Sequence, residues 1–374
     1  MVYFEKDKNG LPITMRWAPY NVLDYNFPFG QVRQNNEIVK FIYNDQSTNI
    51  AFKTKDETSK FVADFEMTAL LYSMEIVEDL ECKIEENVKE SPVTKNSICL
   101  QRGIEINENN IKFVIGEKKY PLLNASEALE KIKQRVTGDG VIDLSQRLWG
   151  TEQTAYITSQ IFLNFKPRFT EEQGIAMFEF SNYGFQEMTK FLLGNVEYND
   201  YIENYEKWNK RIEDIKKLTN AMKPLEEDIW LYRSESDEQR YGFDENSQNG
   251  YLRRLVSTST SQNSCQSFNH HNILCKIKVP KGTPVLFMVL SEVIKRTNEN
   301  EVLLPPILLK INGIQRGGDI KLESQGYFHK KSEQIEYEME VVEVLSCEKI
   351  INEQLERFRK ETIEQAQIDN IHKK

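Results

Sequence analysis

The 374-residue chain has five cysteines (Cys82, Cys99, Cys265, Cys275 and Cys347), with no C-x-x-C pair and no ligand spacing to its four histidines. That gives no basis for a structural zinc site, and no metal is expected. An odd cysteine count also argues against a complete disulfide framework. Basic residues are outnumbered, 48 Lys and Arg against 58 Asp and Glu, for a net charge of −10. The basic footprint that binding a nucleic-acid backbone requires is therefore missing. No apolar run approaches the length of a transmembrane helix, so no membrane insertion is expected. Met1 is followed by charged and polar sequence rather than an apolar segment, so no signal peptide is expected at this end. Alternation of strands with helices is absent too, which excludes a Rossmann arrangement.

What the chain does contain suffices for real cores: 39% hydrophobic and 11% aromatic residues, despite a mean hydropathy of −0.57. Its length suits two domains. Residues 1–56 read as short strands and turns with Trp17, Tyr20, Tyr25 and Phe27. A helix over about 57–86 follows, its apolar stripe running through Phe61, Phe65, Leu70, Leu71, Met74 and Val77. Strands are predicted over 98–101 and 111–115, and Ser126 opens a capped helical segment. Nothing before residue 150 points to chemistry, which suits a partner-binding or structural domain.

Thr170-Glu171-Glu172-Gln173 has the form of a capping box. Helices are predicted over 171–181, 184–193 and 198–222. Strands follow at 229–232, 255–256, 273–279, 284–289, 301–304, 308–314 and 337–347, and a charged, peripheral helix from about 351. Helices first and strands later is an α+β pattern. The expected domains are 1–160, 161–350 and the C-terminal helix 351–374.

Three short motifs carry the chemistry. Glu299-Asn300-Glu301 runs into the apolar strand Val302-Leu303-Leu304 and stops at Pro305-Pro306. On an extended segment the two carboxylates would point the same way. Arg233 ends Leu231-Tyr232-Arg233 and offers a rigid donor fork suited to a diphosphate, or to a plain surface ion pair. In Val256-Ser257-Thr258-Ser259, the two serines share one side of a strand and can orient a carboxylate, or simply satisfy a strand edge. Around one cleft, Glu301 would hold a ribose hydroxyl and stabilise positive charge developing on the sugar. Glu299 would then lie nearer an incoming nucleophile.

From about Thr170 to Cys347 the chain resembles the bacterial toxin mono-ADP-ribosyltransferases of the arginine–serine–glutamate group. Within them it is most similar to the actin-modifying enzyme components of binary toxins and their insecticidal relatives. The resemblance rests on four points in family order: Ala221-Met222-Lys223-Pro224-Leu225 leading to Asp228–Arg233, then Ser257-Thr258-Ser259, then Ile273–Lys281 followed by Gly282-Thr283, and last Glu299-Asn300-Glu301-Val302-Leu303-Leu304-Pro305-Pro306. It implies an ADP-ribosyltransferase fold, a mixed β-sandwich core with preceding helices, joined to an N-terminal domain containing helices and strands. It implies NAD as co-substrate, an arginine side chain of a protein as acceptor, and nicotinamide as leaving group.

By the same resemblance Arg233 positions the NAD phosphates, Ser257 supports the NAD site and the glutamate, Glu301 is catalytic, and Glu299 is the acid needed for transfer to arginine. Relatives with glutamine at that upstream position modify asparagine. Tyr232, Arg253 and Arg254 would assist NAD binding, and Phe268 would pack on nicotinamide. The expected setting is a secreted toxin acting in the cytoplasm of a target cell, with actin as host acceptor and a separate translocation component as partner. The segment 290–298 lacks the aromatic residue of many relatives, which leaves the acceptor open. No internal repeat of the transferase fold is evident in the N-terminal half.

Two other functions remain on the sequence alone: a phage or interbacterial effector with a bacterial protein target, and a non-catalytic NAD-binding or interaction protein. A glycoside hydrolase fits poorly, because its two carboxyls flank the scissile bond roughly 5 Å or more apart.

Overall fold

A computed structural model describes residues 3–6, 12–16, 31–35, 37–43, 46–51, 53–88, 102–107, 110–115, 117–145, 151–165, 170–235, 242–266, 273–290, 300–319 and 333–372. The chain divides into two compact units, Trp17–Thr137 on one hand and Met1–Arg16 with Gly138–Lys374 on the other. Residues 138–160 thus group with the C-terminal part, earlier than the boundary expected near 160.

In the first unit, helix Lys55–Val88 buries Phe65, Leu70, Leu71 and Met74 from its predicted apolar stripe. Helix Ala125–Val136 buries Ala128, Ile132 and Val136, one residue per turn. It is capped by Asn124, whose Oδ1 accepts from the Glu127 amide at 2.8 Å. The cap thus lies two residues before the expected start at Ser126, because Asn124 is the extended residue with an oxygen in reach. Among the described residues the unit also holds two three-stranded antiparallel sheets: Gln31–Asn35, Ile38–Tyr43 and Gln46–Ala51, and Arg102–Asn107, Asn110–Ile115 and Lys118–Pro121. The strand expected at 98–101 lies outside the described residues.

The second unit begins its helical layer with Thr151–Ile161. The capping box at Thr170 then forms in full: Thr170 Oγ1 accepts from the Gln173 amide at 3.2 Å, and Gln173 Oε1 accepts from the Thr170 amide at 3.1 Å. Helix Glu171–Glu179 runs into a π turn, Phe180–Gly184, kinked at Asn182 (φ −106°, ψ −106°), before helix Phe185–Leu192. Glycine is required at 184, where a Cβ would lie 2.8 Å from the Glu179 carbonyl oxygen. The predicted third helix is two, Tyr198–Glu203 and Tyr205–Ala221, broken where Asn204 adopts φ −117° and ψ 37°.

The C-terminal helix, Cys347–His372, is not peripheral as expected from its charge. Ile350, Ile351 and Phe358 enter the same core as Met177, Phe191, Trp208 and Leu303. Phe358 stacks on Tyr201 with centroids 4.1 Å apart, and Arg357 donates to the carbonyls of Gly194 and Val196 at 2.7 and 2.6 Å. With Cys347 and Gln354 also buried, a few inward side chains among many charged ones are enough to seat it.

The strands form two runs. One orders Lys223–Pro224, Pro284–Phe287, Glu301–Leu304 and Val256–Ser259; the other orders Asp228–Glu235, Ile273–Val279, Glu333–Val344, Ile307–Asp319, Asn249–Leu252 and Phe243–Asp244. A single residue pair, Tyr232 with Ser259, joins the runs. Ile273–Val279 and Glu333–Val344 are parallel, while their neighbours pair antiparallel, so the sheet is mixed and the fold α+β. No helix among the described residues is long and apolar enough to cross a membrane.

Candidate functional site

The junction between the two runs brings Arg233, Ser257 and Glu301 together. Ser259 pairs with Glu301 and Ser257 with Leu303, so these side chains share one side of the ladder. Leu303 on that side is sealed in the helix-packed core, and Glu301, 8% exposed, continues it at the strand end. Ser257 Oγ donates to Glu301 Oε1 at 2.6 Å, and Arg233 Nη1 donates to the Ser257 carbonyl oxygen. Thr258, pointing the other way, ties its hydroxyl to the Val302 carbonyl at 2.6 Å.

Glu301 is aimed by its neighbour. Asn300 has φ 50°, in the left-handed region that Asn tolerates better than most residues, and its Nδ2 donates to Ser264 Oγ at 3.3 Å. Asn300 itself is therefore not extended, so the extended backbone that the period-two argument assumes is absent at that residue. Glu299 itself lies outside the described residues, as do Phe268 and most of the segment 290–298.

Arg254 joins the group through Glu235, a residue the sequence reading passed over. Glu235 Oε1 accepts from Arg233 Nε at 2.5 Å and from Arg254 Nη2 at 2.9 Å. A signal was available, since Glu235 follows Arg233 by two residues in a strand and so projects to the same side. Arg253 is directed elsewhere, to Glu353 of the C-terminal helix. Tyr232, one residue from Arg233, faces the opposite side of the strand, packed with Cys265 and Leu274. Its hydroxyl donates to the Asp143 carboxylate, with oxygens at 3.0 and 2.9 Å, and burial first, with Asp143 second, pushes its pKa far above the usual tyrosine value. Asp143 was also missed, because no local pattern links it to a strand 89 residues later.

Two buried thiols border this strand. Cys275 pairs with Arg233 in the ladder, and burial raises its thiol well above the ordinary value. Burial likewise pushes the Cys265 thiol up to about 12. Among the described residues no group of three or more His, Cys, Asp or Glu could hold a metal ion.

The donor set fits NAD as a substrate. Two guanidiniums joined through one carboxylate suit a diphosphate, and a serine-held glutamate at a strand end suits a ribose hydroxyl.

The sequence profile described as ADP-ribosyltransferase exoenzyme matches residues 146–341, more than half of the chain. Among solved structures the chain is similar to Plx2a, an ADP-ribosyltransferase toxin from Paenibacillus larvae, at 15% identity and TM-score 0.34, covering 52% of this chain and 98% of that one. It is similar to the enzymatic component C2-I of the C2-toxin from Clostridium botulinum at 15% identity and TM-score 0.38, covering 65% and 55%. It is also similar to BECa, an ADP-ribosylating toxin of a binary enterotoxin of C. perfringens, at 14% identity and TM-score 0.39, covering 66% and 55%. The chain thus spans just over half the length of those last two. No curated protein matches it.

Proposed function

The chain belongs to the ADP-ribosyltransferase exoenzyme family, and from that premise we propose that it transfers ADP-ribose from NAD to an arginine side chain of a target protein. The observation that supports this reading best is the polar chain Arg254–Glu235–Arg233–Ser257–Glu301, continuous in hydrogen bonds. It sets cationic donors at one end and an oriented carboxylate at the other.

NAD supplies the ribose carbon and the nicotinamide leaving group. Arg233, with Arg254 beside it, holds the diphosphate. Ser257 fixes Glu301, whose negative charge meets positive charge as it develops at the reacting carbon, a stabilisation realised chiefly in the transition state. The bond from ribose to nicotinamide breaks and a bond from ribose to a guanidinium nitrogen forms. A protonated guanidinium is a poor nucleophile, so the nitrogen must lose a proton as it bonds. Glu299 orients the guanidinium and receives that proton.

The acceptor to test first is actin, on the strength of the sequence resemblance. On the same ground the protein is a secreted toxin acting in the target-cell cytoplasm, with its N-terminal part docking on a separate translocating component. Residues 138–374 are the catalytic unit.

The test is labelled NAD with lysates of animal and of bacterial cells, followed by mapping of the modified residue. Label on arginine of one protein is expected, and loss of that label with Glu299→Gln while a measurable share of nicotinamide release persists, because water needs no positioning of a guanidinium. Label on asparagine, cysteine or nucleic acid would overturn the arginine assignment; label on a bacterial protein alone would overturn actin.

A further inference from the structure

Glu235 is 0% exposed, yet the proposed chemistry gives it no contact with a substrate. Its placement is unusual for a carboxylate buried for stability alone. Oε1 accepts two hydrogen bonds, from Arg233 Nε and Arg254 Nη2, whereas the buried Oε2 accepts none from any described residue. An unmet buried acceptor costs about 1–3 kcal/mol, and stabilising carboxylates normally use both oxygens. A bridge through one oxygen instead sets where two guanidiniums sit relative to each other. The partners come from different strands and loops: Arg233 and Glu235 from strand Asp228–Glu235, Arg254 from the segment just before Val256–Ser259. Both arginine side chains are largely buried, at 17% and 14% exposure, so their geometry is not averaged by solvent.

Charge points the same way. Two guanidiniums and one carboxylate sum to +1, a sign that suits a diphosphate. Without Glu235 the same pocket wall would hold two like charges in close proximity, and they would repel each other in a setting of reduced screening.

We infer that Glu235 is a positioning residue for NAD: it fixes the guanidiniums of Arg233 and Arg254 as one paired donor and holds their joint charge at +1. It acts through the arginines. The inference rests on the reading of Arg233 as the diphosphate ligand, and the experiment separates the two.

Nicotinamide release is measured against NAD concentration for the full chain, for Glu235→Gln, for Arg233→Lys and for the double variant. Glutamine keeps the shape and one acceptor oxygen but removes the charge. Expected for Glu235→Gln is a KM raised about tenfold with kcat lowered less than about threefold, a binding loss of about 1.4 kcal/mol. In the Arg233→Lys background the same change should add less than about twofold, because lysine has no Nε donor to be positioned. A wild-type KM in folded Glu235→Gln overturns the inference, and so does an equal KM increment in both backgrounds, which would mean that Glu235 acts independently of Arg233. Should Glu235→Gln fail to fold, Glu235→Asp replaces it; retaining charge but withdrawing the oxygen, it should raise KM alike, and a wild-type KM there overturns the inference. An unchanged KM for Arg233→Lys overturns the reading of Arg233 itself, and this inference with it.

Discussion

The hydrogen bond from Ser257 Oγ to Glu301 Oε1, at 2.6 Å, fixes the orientation of the carboxylate to which the proposed mechanism gives the transition-state charge. Ser257→Ala should therefore lower kcat for nicotinamide release about tenfold with little change in NAD affinity by calorimetry; an unchanged kcat would remove serine from the mechanism. Glu301→Gln should be far more severe, a fall of about 10²–10³ in kcat, since it removes the charge opposed to the transition state. NAD affinity should survive, and wild-type turnover in the mutant would sink the assignment. Asn300 predicts a different split: Gly at φ 50° should be tolerated, whereas Asn300→Val should cost roughly 1–2 kcal/mol and misdirect Glu301. At this scale the sequence was legible where chemistry is local. Arg233, Ser257 and Glu301 could be picked out from their motifs, but the left-handed Asn300 and the inward turn of Arg254 could not, because asparagine permits a positive φ without requiring it and an arginine's choice of ion-pair partner leaves no mark in residue type.

Elements reveal a second buried cluster, around Arg211. Its Nε donates to Glu187 at 2.6 Å, and its Nη1 to Glu179 at 2.9 Å and Asp214 at 3.1 Å, which pins both helices flanking the π turn to helix Tyr205–Ala221. Arg211→Leu would leave the Asp214 carboxylate buried and unpaired, a loss of about 3–5 kcal/mol in urea unfolding at pH 7. Burial already pushes the Asp214 carboxyl above its ordinary 3.8. With Arg211 gone, the folded form takes up a proton at higher pH than the unfolded form, and stability falls as pH rises through that interval. The deficit of Arg211→Leu should accordingly shrink from pH 7 to pH 5; an equal deficit at both would dismiss the account. Glu179 and Glu187 retain Lys210 and Lys207 at 2.7 and 3.6 Å, so they contribute less. The Thr170 cap was readable because its bonds span three residues, and the apolar runs at 273–279 and 301–304 were readable as strands. The break expected between helices 171–181 and 184–193 falls at Asn182, whose φ −106° and ψ −106° are not helical, whereas the long-range bond from Arg211 to Glu179 that spans it has no local signal.

For the whole molecule, the α+β class followed from the order of helices and strands, whereas the parallel pairing of Ile273–Val279 with Glu333–Val344 depends on packing that no local pattern records. Residues 138–160 matter to any division of the chain. Val141–Ile142 pairs with Asp228–Ile229, Ser145 Oγ accepts from the Gln262 amide at 2.6 Å, and Thr158 meets Thr260 at 3.1 Å. A fragment 138–374 is expected to fold and bind NAD, while 161–374, deprived of Asp143 beneath Tyr232, should melt at a lower temperature. Equal melting points would show that the earlier segment is dispensable.

Cys265 and Cys275 make the arginine strand its own stopwatch. A thiol held neutral by burial reacts with an alkylating reagent only during the brief openings that expose it. The pace of labelling at these two positions, followed by mass spectrometry at mildly alkaline pH, therefore counts how often the strand bearing Arg233 comes away from its neighbours, and bound dinucleotide should slow the count.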